Sequence, residues 1–100
     1  MKLPAAISHH DAVVQRIRKN PRFAAEYLQA ALEESDDPEA FLTALRRIAE
    51  ARGGMAKVAK AAGITRESLY RALSERGNPT FATLQSVTKA VGLQLTVQAA

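Results

Sequence analysis

Gly63-Ile64-Thr65 breaks two short runs of helical periodicity, and this break constrains the fold more than any other stretch of the chain. Upstream of it, Met55, Val58, Ala59 and Ala62 recur at helical spacing, with Ala59 small enough for a second helix to cross closely over it. Gly63 can adopt the left-handed backbone conformation that stops a helix, after which Ile64 turns back toward the core. Thr65 then reads as the N-cap of a second helix whose inward stripe is Leu69, Ala72 and Leu73. A short helix, a three-residue turn and a second helix crossing the first is the helix-turn-helix register, spanning Gly54 to Gly77. An αα-hairpin with no nucleic-acid role is compatible with the same residues, because a fold does not by itself fix a function.

If the register is that of a DNA reader, the inward stripe leaves Arg66, Glu67, Tyr70 and Arg71 pointing outward from the second helix. Such a helix reads the major groove with its N-terminal residues; arginine can pair bidentately with guanine, and glutamate can accept from cytosine. Phosphate contacts are expected from Lys57 and Lys60 on the outer side of the first helix, from the cap Thr65, and from Asn78 and Thr80 in the turn that follows. Charge supports this division. Residues 1–51 hold seven basic and eight acidic side chains, whereas residues 52–100 hold seven basic and two acidic, so the surplus behind the net charge of +4 sits with the motif.

Capping signals divide the remaining chain into further helices. Ser8 with Asp11 three residues later resembles a capping box opening a helix faced by Val13, Val14 and Ile17. Asn20-Pro21 and Asp37-Pro38 each pair a capping side chain with a proline at the first helical position. The first opens a helix to about Glu34 with Ala24, Tyr27, Leu28, Ala31 and Leu32 on one face; the second opens one bearing Phe41, Leu42, Leu45, Ile48 and Ala49, ending before Gly53-Gly54. Thr80 caps a last helix with Phe81, Leu84, Val87, Thr88 and Val91, closed by Gly92. Leu93-Gln94-Leu95-Thr96-Val97-Gln98 alternates apolar and polar residues, the pattern of a half-buried strand. A lone strand needs a partner, which could be residues 3–7, the same strand of another subunit, or a partner protein's sheet. Pro4 removes an amide from the first option, so pairing between chains through Leu93, Leu95 and Val97 is expected, the alternative being a frayed extended tail.

The sequence therefore predicts an all-α bundle of five to six helices with a short C-terminal strand, organised as an N-terminal helical arm (1–36), a helix-turn-helix unit (37–92) and a C-terminal strand or tail (93–100). At 100 residues the core is modest, and oligomerisation is a natural way to enlarge it. The chain has no cysteine, and therefore no disulfide framework or thiol nucleophile, which fits a reducing, cytoplasmic compartment. No run approaches the roughly 18 apolar residues of a membrane span, and the N-terminal segment lacks the apolar stretch of a signal peptide. His9-His10-Asp11 has no further His or Cys to complete a metal site, and no histidine stands beside a nucleophile. Neither an enzyme, a metal nor a cofactor is expected. The acidic run Glu33, Glu34, Asp36, Asp37 and Glu39 reads either as a partner-binding surface or as a solvated junction favouring the next helix's N-terminus.

Gly63-Ile64-Thr65-Arg66-Glu67-Ser68-Leu69-Tyr70-Arg71-Ala72-Leu73-Ser74, continued by Gly77-Asn78-Pro79-Thr80-Phe81 and Thr83-Leu84, resembles the addiction-module antidote proteins, small antitoxins with a lambda-repressor-like (Xre-type) helix-turn-helix. Phe23-Ala24-Ala25-Glu26-Tyr27-Leu28 and Ala30-Ala31-Leu32-Glu33-Glu34 are similar to that family's N-terminal arm. The resemblance, over about residues 20 to 95, implies a homodimer on a palindromic double-stranded operator, repression of its own operon, and neutralisation of a small RelE-like toxin. By position it places Arg66, Glu67, Ser68 and Arg71 at the bases, and Asn78 and Thr80 at the backbone. Met55 stands where such repressors often carry a phosphate-anchoring glutamine, and the Ser8-His9-His10 opening with Arg16, Arg18 and Lys19 also departs from the pattern. The alternatives are a solitary phage-type repressor and a protein-interaction module that uses the helix-turn-helix as scaffold.

Overall fold

The computed structural model describes residues 9–34 and 36–100. Six helices follow one another: α1 (His9–Lys19), α2 (Pro21–Glu33), α3 (Pro38–Ala51), α4 (Met55–Ala62), α5 (Arg66–Ala72) and α6 (Phe81–Ala90). Local chemistry sets most of these boundaries. The Asn20 Oδ1 accepts from the Phe23 amide at 3.1 Å with Pro21 in the first turn of α2, and the Asp37 Oδ1 accepts from the Glu39 amide at 2.9 Å with Pro38 opening α3. Both caps sit where the sequence places them. The Ser8 capping box expected at the start of α1 lies outside the described residues.

α3 is the central helix, burying Phe41, Leu42, Ala44, Leu45, Ile48 and Ala49. On one side it packs with α1 and α2; on the other it meets α4, which in turn carries α5 and α6. One hydrophobic cluster runs through the whole arrangement, from Ile17 and Leu28 through Leu45 and Ile48 to Leu69, Leu73 and Val87. The arm's rings add to the packing: the Arg16 guanidinium lies 4.1 Å from the Phe23 ring centroid, and Arg47 donates to the Tyr27 hydroxyl at 3.0 Å.

Arg52, at the C-cap of α3, joins the two sides. Its Nε donates to the Val91 carbonyl at 2.7 Å, and its Nη1 donates to the carbonyls of Ile17 at 3.1 Å and Arg18 at 3.4 Å. One guanidinium thus satisfies orphan carbonyls at the C-terminal ends of α6 and α1, where a cation also opposes the negative end of each helix dipole. Its Nη2 lies 3.1 Å from where a Cβ on Gly92 would stand, which together with a φ of +86° favours glycine there.

The strand expected at Leu93 to Gln98 does not form. Among the described residues there is no strand, and the segment has no regular secondary structure. The alternation is real but is used differently: Leu93 and Leu95 turn inward against the core, while Gln94 and Thr96 face outward and Val97 is 99% exposed. An alternating segment can lay one face on a helical core without a neighbouring strand, and the described residues present none to pair with it. Residues 3–7 lie outside the described range. Two helix faces also extend past the covered area, leaving Leu32 of α2 and Phe81 of α6 largely exposed.

Candidate nucleic-acid interface

The α4–α5 pair is built as its residues dictate. Met55, Val58 and Ala59 are buried on α4, and Leu69 and Leu73 are buried on the α5 side. Gly63 has a φ of +74°, and the Ile64 amide donates back to the Ala59 carbonyl at 3.0 Å, so the chain reverses tightly over Ala59. The Thr65 side chain accepts from the Ser68 amide at 3.0 Å and opens α5. Two helices joined by a three-residue turn result, with α5 lying on α4.

Of the residues read as facing bases, Arg66, Glu67 and Arg71 are exposed on α5. Ser68 is half-buried, and its hydroxyl accepts from the Thr65 hydroxyl at 2.8 Å, which makes it part of the cap. Tyr70 is half-buried against the core, with the guanidinium carbons of Arg66 and Arg46 each 5.5 Å from its ring centroid. The ring therefore supports Arg66 from one turn away and links α5 to α3, where Arg46 also pairs with Glu50 at 3.0 Å.

The residues read as backbone contacts fall in two places. Lys57 and Lys60 are exposed on α4, and the Lys57 stem passes over Gly53, its Cδ 3.4 Å from where a Cβ would stand. Asn78 and Thr80 are exposed in the turn between α5 and α6, where Thr80 accepts from the Thr83 amide at 3.1 Å and caps α6. A shallow groove of about 490 Å³ brings Ser68 and Arg71 together with Asn78 and Thr80, and adds Arg76. Arg76 is an exposed cation that the sequence reading passed over, because it follows the helix and belongs to no periodic face. The turn is held close by Gly77. A Cβ at that position would overlap the Ala72 carbonyl, so only glycine lets the chain pass this near the end of α5.

His9 and His10 are exposed on α1, and no group of three or more His, Cys, Asp or Glu side chains capable of holding a metal occurs among the described residues. No helix among them is long and apolar enough to cross a membrane.

Comparison with known proteins places these features in a family. A protein of Haemophilus influenzae, described as uncharacterized, is 54% identical over 72 residues, which are 72% of either chain. No solved structure matches the chain. The model of one family matches residues 8–99, from the start of α1 to the end of the tail. This chain belongs to the family of probable addiction module antidote proteins.

Proposed function

We propose that this protein is the antitoxin of a type II toxin–antitoxin pair and a sequence-specific double-stranded DNA-binding repressor of its own operon. The α4–α5 pair acts as a lambda-repressor-like helix-turn-helix, and a homodimer sets two α5 helices about 34 Å apart in successive major grooves of a palindromic operator. One observation carries the reading: Arg66, Glu67 and Arg71 stand exposed on a short capped helix, and Arg71 shares a groove with Arg76, Asn78 and Thr80 in the basic half of the chain. In this arrangement Arg66 and Arg71 read guanines, Glu67 selects cytosine, and Tyr70 holds Arg66 in place. Lys57, Lys60, Asn78 and Thr80 grip phosphates on either side. Met55 is buried at the start of α4 and serves the core, so phosphate anchoring falls to the lysines and the α5–α6 turn.

Family membership supports the antidote role, and with it a toxin partner. The RelE-like identity of that toxin is part of the proposal. The protein acts by binding DNA and protein, without catalysis. Electrophoretic shift of the promoter fragment upstream of its gene, with the chain alone and with the product of the neighbouring gene, tests both halves. A shift by the chain, altered by the neighbour's product, is expected. No shift in either state would reject the repressor, and no complex between the two proteins would reject the antitoxin pairing.

A further inference from the structure

Tyr70 is where arginines from two helices meet. The guanidinium carbons of Arg66, four residues earlier on α5, and of Arg46, on α3, each lie 5.5 Å from its ring centroid. Arg46 is tied in turn: its Nε donates to the Glu50 Oε1 at 3.0 Å, one turn further along α3. Glu50, Arg46, Tyr70 and Arg66 thus form one continuous row from the central helix to an exposed side chain of α5. Stability alone gives little reason for this row. The Arg46 and Glu50 side chains are 43% and 50% exposed, and ion pairs so wetted add little to a fold. An arginine that precedes its glutamate by four residues is also the less favourable order on a helix. Two cations gathered at one ring repel each other, a cost that the Glu50 carboxylate offsets from the Arg46 side.

We propose that Arg46 and Glu50 are positioning residues for Arg66: Glu50 holds Arg46, Arg46 braces the Tyr70 ring, and the braced ring holds the Arg66 guanidinium. Tyr70 is only half-buried, so the core fixes one part of its ring and Arg46 supplies a second support. An arginine side chain has many rotamers, and one that is already ordered loses less freedom when it makes a directional contact. The pair on α3 therefore sets how well Arg66 is aimed. Arg46 touches no nucleic acid in this arrangement; it acts on sequence preference through Arg66 and not on the affinity for phosphate. The purpose of the row rests on the reading of α5 as a base-reading helix, but its first test needs no DNA.

Nitrogen-15 relaxation of the Arg66 Nε–H group in the free, full-length chain reads this order directly. Arg46→Met and Glu50→Gln are each expected to lower its order parameter. Arg47→Met removes a charge from the next position of α3 but contacts Tyr27 instead, and is expected to leave Arg66 as it is in the wild type. The wild-type circular dichroism spectrum is expected in all three. Anisotropy titration against the promoter palindrome and a random duplex then reads the consequence. Arg46→Met and Glu50→Gln are expected to lower the ratio of the two affinities by about two- to fivefold per half-site, with the slope of log affinity against log salt unchanged. An Arg66 equally ordered in the wild type and in both variants overturns the proposal, as does an unchanged ratio when the wild type discriminates. So does a slope reduced by about 0.9 in Arg46→Met with the ratio kept, which would make Arg46 a phosphate contact. Loss of Arg66 order in both variants, in a protein whose wild type does not distinguish the duplexes, would leave the positioning row standing and reject the base-reading function.

Discussion

Replacing Arg52 by methionine keeps an aliphatic stem of similar length and removes the guanidinium that ties the ends of α1 and α6 to the end of α3. Two of its bonds, to the Val91 and Ile17 carbonyls at 2.7 and 3.1 Å, are partly buried; the third, to the Arg18 carbonyl at 3.4 Å, is long and exposed and contributes little. A hydrogen bond from a charged donor is worth about 1.5 to 3 kcal/mol, and water can reach part of this half-exposed side chain, so two such bonds give a loss of about 2 to 4 kcal/mol. For a domain of this size that corresponds to a fall in Tm of roughly 10 to 25 °C. Arg47→Met is the internal control. Arg47 is exposed and makes one hydrogen bond, to the Tyr27 hydroxyl, so its loss is expected to stay below about 1 kcal/mol. Arg52→Lys retains the charge but cannot donate in two fixed directions from one planar group, and is expected to fall between the wild type and Arg52→Met. Urea denaturation of the four proteins, followed by circular dichroism, reads the differences. If Arg52→Met is no less stable than Arg47→Met, the keystone role of Arg52 is refuted.

Other expectations are simpler to check. Gly77→Asn should cost about 1 to 3 kcal/mol in thermal denaturation because its Cβ meets the Ala72 carbonyl, whereas Gly63→Asn should cost under about 1 kcal/mol, since the site has open space and asparagine tolerates the left-handed conformation. Thr65→Ala should lose about 1 kcal/mol with its cap, and hydrogen exchange should report a less protected Ser68 amide. Lys57→Ala should weaken binding to all DNA sequences alike and reduce the slope of log affinity against log salt by about 0.9, measured by fluorescence anisotropy.

The features legible in the sequence are those decided within a few residues. Asn20-Pro21, Asp37-Pro38, Thr65 and Thr80 cap helices because the groups they satisfy lie two or three residues away, and Gly63 stops α4 because the turn needs a positive φ. Arg52 was not legible: its acceptors lie 34 to 39 residues distant, and nothing in its own neighbourhood marks it. Gly77 reads as an ordinary turn glycine, and only the approach to Ala72 shows why no side chain fits. Helical periodicity puts Leu69 and Leu73 inward and Arg66, Glu67, Tyr70 and Arg71 outward, but Tyr70 is half-buried, because its ring packs against the core beside Arg46 of α3, and the half-burial of Ser68 follows from its place in the cap. Periodicity also says which face of a helix is apolar without saying how far the neighbours reach, which is why Leu32 and Phe81 emerge exposed. The tail shows the same limit: its alternation was legible, but whether a core or a strand receives it is a tertiary matter.

The account turns on α5 reading bases, and anisotropy titration of Arg66→Ala against its promoter palindrome and a random duplex at matched salt tests that most directly. The expected result is a loss of about 1 to 3 kcal/mol per half-site on the palindrome, much less on the random duplex, and a correspondingly smaller ratio between the two. Equal losses on both duplexes, or a wild-type protein that does not distinguish them, would contradict it.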